Sequence, residues 1–98
     1  MDVQSNPDAL HFAVRRCDIP AIKELLAKGY DPSAVDPGGV TPLHCAVYGG
    51  YVEAAELLLK AGADPNILCG GTTPLWHAED DFGLWEMAAL LRAYGATK

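Results

Sequence analysis

The sequence predicts an all-α solenoid in which three helix-turn-helix units are joined by β-hairpin-like loops. Three observations predict it. Similar residues recur about every 33 positions: His11 and His44 lie 33 apart, and Gly29, Gly62 and Gly95 follow at the same interval. Each copy opens on a short apolar string: Ala9-Leu10-His11-Phe12-Ala13, Thr41-Pro42-Leu43-His44-Cys45-Ala46, then Thr73-Pro74-Leu75-Trp76-His77-Ala78. Each closes on leucines before a glycine, as in Leu57-Leu58-Leu59-Lys60-Ala61-Gly62. A period of this size marks stacked repeats, which bury their faces on one another and usually make binding surfaces.

The first copy starts near Asp8, which takes the helix-capping place that threonine holds in the other two. Its second helix spans about Ile19 to Lys28, with Pro20 tolerated in the first turn because no intrahelical N–H is needed there. Asp31-Pro32-Ser33 turns the chain outward, and Asp36-Pro37-Gly38-Gly39 forms a tight turn at a loop tip. In the middle copy Thr41 caps through its hydroxyl and Pro42 follows at the first helical position. Gly49-Gly50 stops that helix, since glycine tolerates positive φ. The second helix covers about Val52 to Ala61, with Val52, Ala55, Leu58 and Leu59 on one side. Gly62 ends it, and Asp64-Pro65-Asn66 repeats the outward turn. The last helix covers about Leu84 to Tyr94. Together these form a single domain, 1-98, with repeats at about 8-35, 36-68 and 69-98.

Thr-Pro-Leu-His, a central glycine, a leucine run and Gly62-Ala63-Asp64 in one register make the chain resemble an ankyrin-repeat protein over residues 8 to 96. The resemblance implies an L-shaped, gently curved array with hairpin loops projecting from it. It also implies structural hydrogen bonds from the Thr-Pro-Leu-His histidine, and partners that bind the concave side formed by loop tips and first helices. There are departures. Cys17 stands where the middle copy has Gly50, Trp76 stands where the family has histidine, and Phe82 is a one-residue insertion before Gly83. The loop from Ile67 to Thr73 is one residue shorter than that from Ala34 to Thr41.

Composition narrows the partners. Asp and Glu outnumber Lys and Arg by 13 to 7, for a net charge of −6, which disfavours nucleic acid. No apolar window approaches a membrane span, and Met1 to Pro7 lacks the basic start and apolar stretch of a secretory signal. Three cysteines, Cys17, Cys45 and Cys69, match no metal-ligand spacing and suit a reducing cytoplasm. The histidines sit on successive repeats, too far apart for one tetrahedral ion. His44 and Cys45 are adjacent on a helix and point about 100° apart, which disfavours a nucleophile–base pair. Cys45 reads as buried and Cys69 as the more exposed thiol. The expectation is therefore no catalytic residue, no metal and no cofactor.

The candidate site is a surface. Alignment of the copies places Arg15 and Arg16, Tyr48 and Gly49, and Asp80 and Asp81 at equivalent exposed places on the first helices. They form a strip that is basic, then aromatic, then acidic, and Tyr and Arg are favoured in binding hot spots. Loop tips add Val35, Pro37, Val40, Leu68 and Cys69. Trp85 and Tyr94 on the last helix form a second surface. The expected function is binding of another protein, one with a basic patch, by a monomer. Inhibition, scaffolding, an immunity or antitoxin role and an adaptor role are the expected outcomes of such binding. The alternative is a self-associating scaffold paired through the last helix.

Overall fold

The computed structural model describes residues 8–81 and 83–97; Met1–Pro7, the inserted Phe82 and Lys98 lie outside them. Its helices are α1 (Ala9–Arg15), α2 (Ile19–Ala27), α3 (Pro42–Gly49), α4 (Val52–Lys60), α5 (Pro74–Trp76) and α6 (Trp85–Ala93). A π-helical turn at His77–Asp81 continues α5. Among the described residues the fold is all-α; the only bridge, Cys69 with Thr72, is isolated. The first helices α1, α3 and α5 pack in one row and the second helices α2, α4 and α6 in another. The stack measures 42 × 24 × 20 Å.

Two leucines per copy fix the core. Leu10, Leu43 and Leu75 are buried at one equivalent position of the first helices, and Leu58 and Leu91 at one position of the second helices. Leu25, their counterpart at the open end of the array, is only partly buried. Ala13, Ala46 and Ala78, all buried, let neighbouring first helices approach closely. Deleting a buried leucine side chain from such a core typically costs about 2–5 kcal/mol.

The second helices all stop the same way. Tyr30 N–H donates to Leu25 O, Ala63 N–H to Leu58 O and Ala96 N–H to Leu91 O, at 3.2, 3.0 and 3.0 Å. Gly29, Gly62 and Gly95 supply the left-handed residue inside each loop, with φ of 95°, 100° and 93°. This double hydrogen-bonded ending satisfies carbonyls that would otherwise be orphaned. Beyond it, Ser33 Oγ accepts from Asp64 N–H, and Asn66 Oδ1 accepts from Thr97 N–H, each at 2.8 Å. The outward turns are thereby stitched repeat to repeat.

The first helices differ in ways that trace to single residues. Thr41 and Thr73 are extended at ψ 163° and 160°, and their hydroxyls accept from His44 N–H and Trp76 N–H. Asp8 takes the equivalent place but makes no side-chain capping bond, contrary to expectation. Its ψ of 8° removes the extended geometry that a cap requires. At the other end, Asp18 N–H closes onto Ala13 O and Tyr51 N–H onto Ala46 O, five residues back. In the third copy Leu84 N–H closes onto Ala78 O, six residues back. The extra residue is accommodated by a π turn, whose hydrogen-bonded ring is one residue wider than that of an α-helix.

Cys17 adopts φ 52° where Gly50 adopts φ 71°. A left-handed conformation costs a side-chain-bearing residue about 1–2 kcal/mol, and glycine's freedom in the unfolded chain offsets about 0.5–1 of that. Cys17→Gly should therefore stabilise the protein by about 0.5–1 kcal/mol, read as a higher urea midpoint at unchanged slope. A lower midpoint would mean the thiol makes compensating contacts.

Candidate functional site

The stacking register sets Arg15, Tyr48 and Asp80 at successive equivalent places, followed by Arg16, Gly49 and Asp81; all six are exposed. Between the first two copies, Arg15, Val40, Cys45, Tyr48, Gly49 and Tyr51 line an open cleft of ≈ 300 Å³. Its floor depends on a missing side chain. A Cβ on Gly49 would stand 2.3 Å from the Tyr51 ring, so glycine is what admits that ring.

The basic wall of the cleft is anchored from the loop tip. Arg15 donates to Asp36 Oδ2 at 3.4 Å and lies 5.9 Å from the Phe12 ring centroid. Asp36 Oδ1 accepts from Val40 N–H and Gly38 N–H, each at 2.9 Å. The Val40 N–H is the main influence holding the Asp36 carboxyl below its ordinary range. Cys45 is buried beneath, and burial pushes its thiol pKa up against the pull of Arg15.

On the other side of Tyr48 lies an aromatic and acidic cluster. The Tyr48 hydroxyl donates to Cys69 Sγ at 3.4 Å. Its ring meets His77 at right angles with centroids 5.1 Å apart, and Trp76 meets His77 at 84° and 5.2 Å. His77 Nε2 pairs with Thr72 Oγ1 at 2.7 Å, and Nδ1 lies 3.4 Å from Asp81 Oδ2. Glu79, its side chain nearly buried, is ion-paired with Arg92 of α6.

The two other histidines work inside the stack. His11 Nε2 donates to Val40 O at 2.8 Å, tying α1 to the next copy's loop. Thr41 Oγ1 approaches His44 Nδ1 to 2.7 Å while accepting from the His44 backbone N–H. His11 Nδ1 has no hydrogen-bond partner, the consequence of Asp8 standing in for threonine. His44 Nε2 is also buried without one; the Thr72 backbone acts on it electrostatically, outside hydrogen-bond geometry. Burial lowers the His44 pKa to about 4, nearby His77 adds to the depression, and Thr72 opposes it.

Several expectations change. Val40 is half-buried against the core and its carbonyl is engaged by His11, so it is not an exposed tip. Cys69 is half-buried, with its sulfur on Tyr48; Cys17 is the exposed thiol. Val35 and Leu68 are exposed on their loops at 57% and 58%, and Pro37 is exposed as well. Trp85 on α6 and Tyr94 just past its C-terminal end are exposed, and neither lines the cleft. Sequence reasoning missed Asp36 as the anchor of Arg15, Cys45 and Tyr51 as cleft-lining residues, and Phe12 and Trp76 as exposed aromatics. The first and last had readable signals: an aspartate opening a Pro-Gly-Gly turn, and a tryptophan where its fellows are histidines.

A family model for ankyrin repeats in three copies matches residues 4–98. The chain is 43% identical to the 2-5A-dependent ribonuclease of Mus musculus over 65% of its own length and 9% of that protein. It is 37% identical to the nuclear factor NF-kappa-B p105 subunit of Gallus gallus, over 80% of this chain and 8% of that one. Ankyrin repeat and SOCS box protein 16 of Mus musculus is 41% identical over 78% of the chain and 18% of that protein. The chain thus spans less than one fifth of the length of these curated relatives. Among the described residues no helix is long and apolar enough to cross a membrane.

The His44 shift has a definite sign. Its folded pKa lies below the unfolded value of about 6.5, so the unfolded chain takes up the proton first. The contribution is complete above pH 6.5 and is lost as pH falls toward 4, by up to about 3 kcal/mol. A His44→Gln variant, less stable at pH 7, should lose less stability over that range in urea titrations at pH 7, 5.5 and 4.5. Equal losses would place the acid sensitivity elsewhere.

Proposed function

The chain belongs to the ankyrin-repeat family, whose repeats generally serve as protein–protein interaction modules in a non-catalytic fold, and from that premise we propose that it binds a protein partner through the face that carries Arg15, Tyr48 and Asp80. The supporting observation is the cleft beside Tyr48, flanked along the stack by an anchored cation and exposed carboxylates. The three repeats at 8-35, 36-68 and 69-98 act as one binding unit. Their side chains sit on a preformed scaffold, so association orders little. The chain itself performs no catalysis. It acts by occupying or holding its partner, as an inhibitor, an immunity or antitoxin-like protein, or an adaptor.

Asp80 and Asp81 steer a basic patch toward the face. Their replacement by lysines should slow association with a partner captured from the source cell's lysate, by roughly tenfold at low salt. The salt dependence should weaken in parallel, measured by surface plasmon resonance. Unchanged association kinetics would remove the acidic end from the interface.

A second reading rests on α6, where Trp85 is 68% exposed. Two copies could bury Trp85 and Tyr94 across a two-fold axis. Light scattering at tens of micromolar should then show a dimer that Trp85→Ser dissolves; a monomer at that concentration rejects self-assembly.

A further inference from the structure

Tyr48 separates two surfaces of unlike chemistry one repeat apart. The cleft on its α1 side is lined by aliphatic Val40, the buried Cys45 and the Tyr51 ring, and its one cation is engaged by Asp36. That space suits an uncharged, apolar side chain. On its α5 side stand the His77 and Trp76 rings and the Asp81 carboxylate. The Asp81 charge is felt at the Tyr48 hydroxyl as well, among several influences headed by burial that raise its pKa. Aromatic faces beside a carboxylate attract a cationic side chain.

The distance between these surfaces constrains what bridges them. Neighbouring packed helices lie about 8–10 Å apart. An extended chain of polyproline II type advances about 3.1 Å per residue with about three residues per turn, so side chains three positions apart share a face and cover that distance. A helical segment rises about 1.5 Å per residue and needs roughly seven. The open row along the helix ends and the loops beside it favour the thinner, extended segment.

We propose that this face binds an extended segment of a partner protein, with an apolar side chain in the Tyr48 cleft and a lysine or arginine three residues away against Trp76, His77 and Asp81. This deepens the protein-binding reading above and rests on it. Charge complementarity supports the choice of occupant: Asp80 and Asp81 are exposed on this side, and the whole chain carries −6.

The test is selection of random twelve-residue peptides displayed on phage against the intact chain, followed by fluorescence anisotropy on the enriched peptides made synthetically. Enrichment of an apolar residue three positions from a basic one is expected. The Asp80→Lys, Asp81→Lys pair should bind the selected peptide about tenfold more weakly and, on reselection, prefer an acidic residue at the basic position. Its apolar preference should persist. Tyr48→Ala should weaken binding by about tenfold or more, since Tyr48 forms part of both surfaces. Thermal melting of each variant separates lost binding from lost folding. If the lysine pair fails to fold, the Asp80→Asn, Asp81→Asn pair should still lose the basic preference. No enrichment, a basic residue at no fixed spacing or at a spacing of seven, or a preference indifferent to both pairs would overturn the inference. The broader reading fails by a separate result: a captured protein partner that holds equally to every variant of this face.

Discussion

A helix pair of seven to nine residues per helix, counting α5 together with its π turn, cannot bury its apolar faces on itself, so lateral stacking governs the described residues. The leucines at 10, 43 and 75 and the alanines at 13, 46 and 78 meet neighbours only if the copies keep register. Bonds between copies hold that register at both edges. His11 reaches the Val40 carbonyl on the loop side of the first helices, while Ser33 and Asn66 catch the following turns on the other side. A residue lost from the loop after Ile67 and one gained after Ala78 cancel, and the glycine spacing survives. The π turn at His77–Asp81 is where that compensation becomes visible in the backbone.

That same turn shapes the surface. In the middle copy His44 lies inside the stack with Thr41. In the third copy the histidine comes one residue later, so His77 turns toward Thr72 and Asp81, and Trp76 occupies the vacated place and is 38% exposed. The residue exchange at positions 76 and 77 thus leaves an indole at the surface and sets a mostly buried imidazole against Tyr48. Core positions have no such latitude. Outward positions of the same helices hold Arg15, Tyr48 and Asp80, three chemistries on one backbone geometry.

Much of the fold was legible because its determinants are local. Threonine before proline, glycine after leucines and the 33-residue interval each encode a helix end or a stacking face. The helix limits differ from expectation by about a residue. Asp8 shows the limit of that logic: the residue type suits a cap, but its ψ of 8° does not. The candidate face was legible as a row of exposed positions. Its cleft was not, because it depends on long-range geometry: Asp36 reaching back to Arg15, and the Tyr51 ring lying where Gly49 lacks a Cβ. Val40 looked like an apolar loop tip, yet stacking turns it inward.

The exposed hydrophobic residues are not equivalent as binding groups. Val35, Leu68 and Trp85 are the most exposed of them, and an immobilised side chain costs about 0.5–1.5 kcal/mol on association. Tyr48 is held before any partner arrives, by its hydroxyl on Cys69 and its ring against His77. Arg15 is similarly oriented by Asp36, whose carboxylate is itself fixed by two backbone N–H groups. Ordering has therefore already been met by intramolecular contacts at the face between the first helices. The segment proposed to bind there would therefore meet a smaller ordering cost per contact than on the loop tips, although the tips expose more apolar surface.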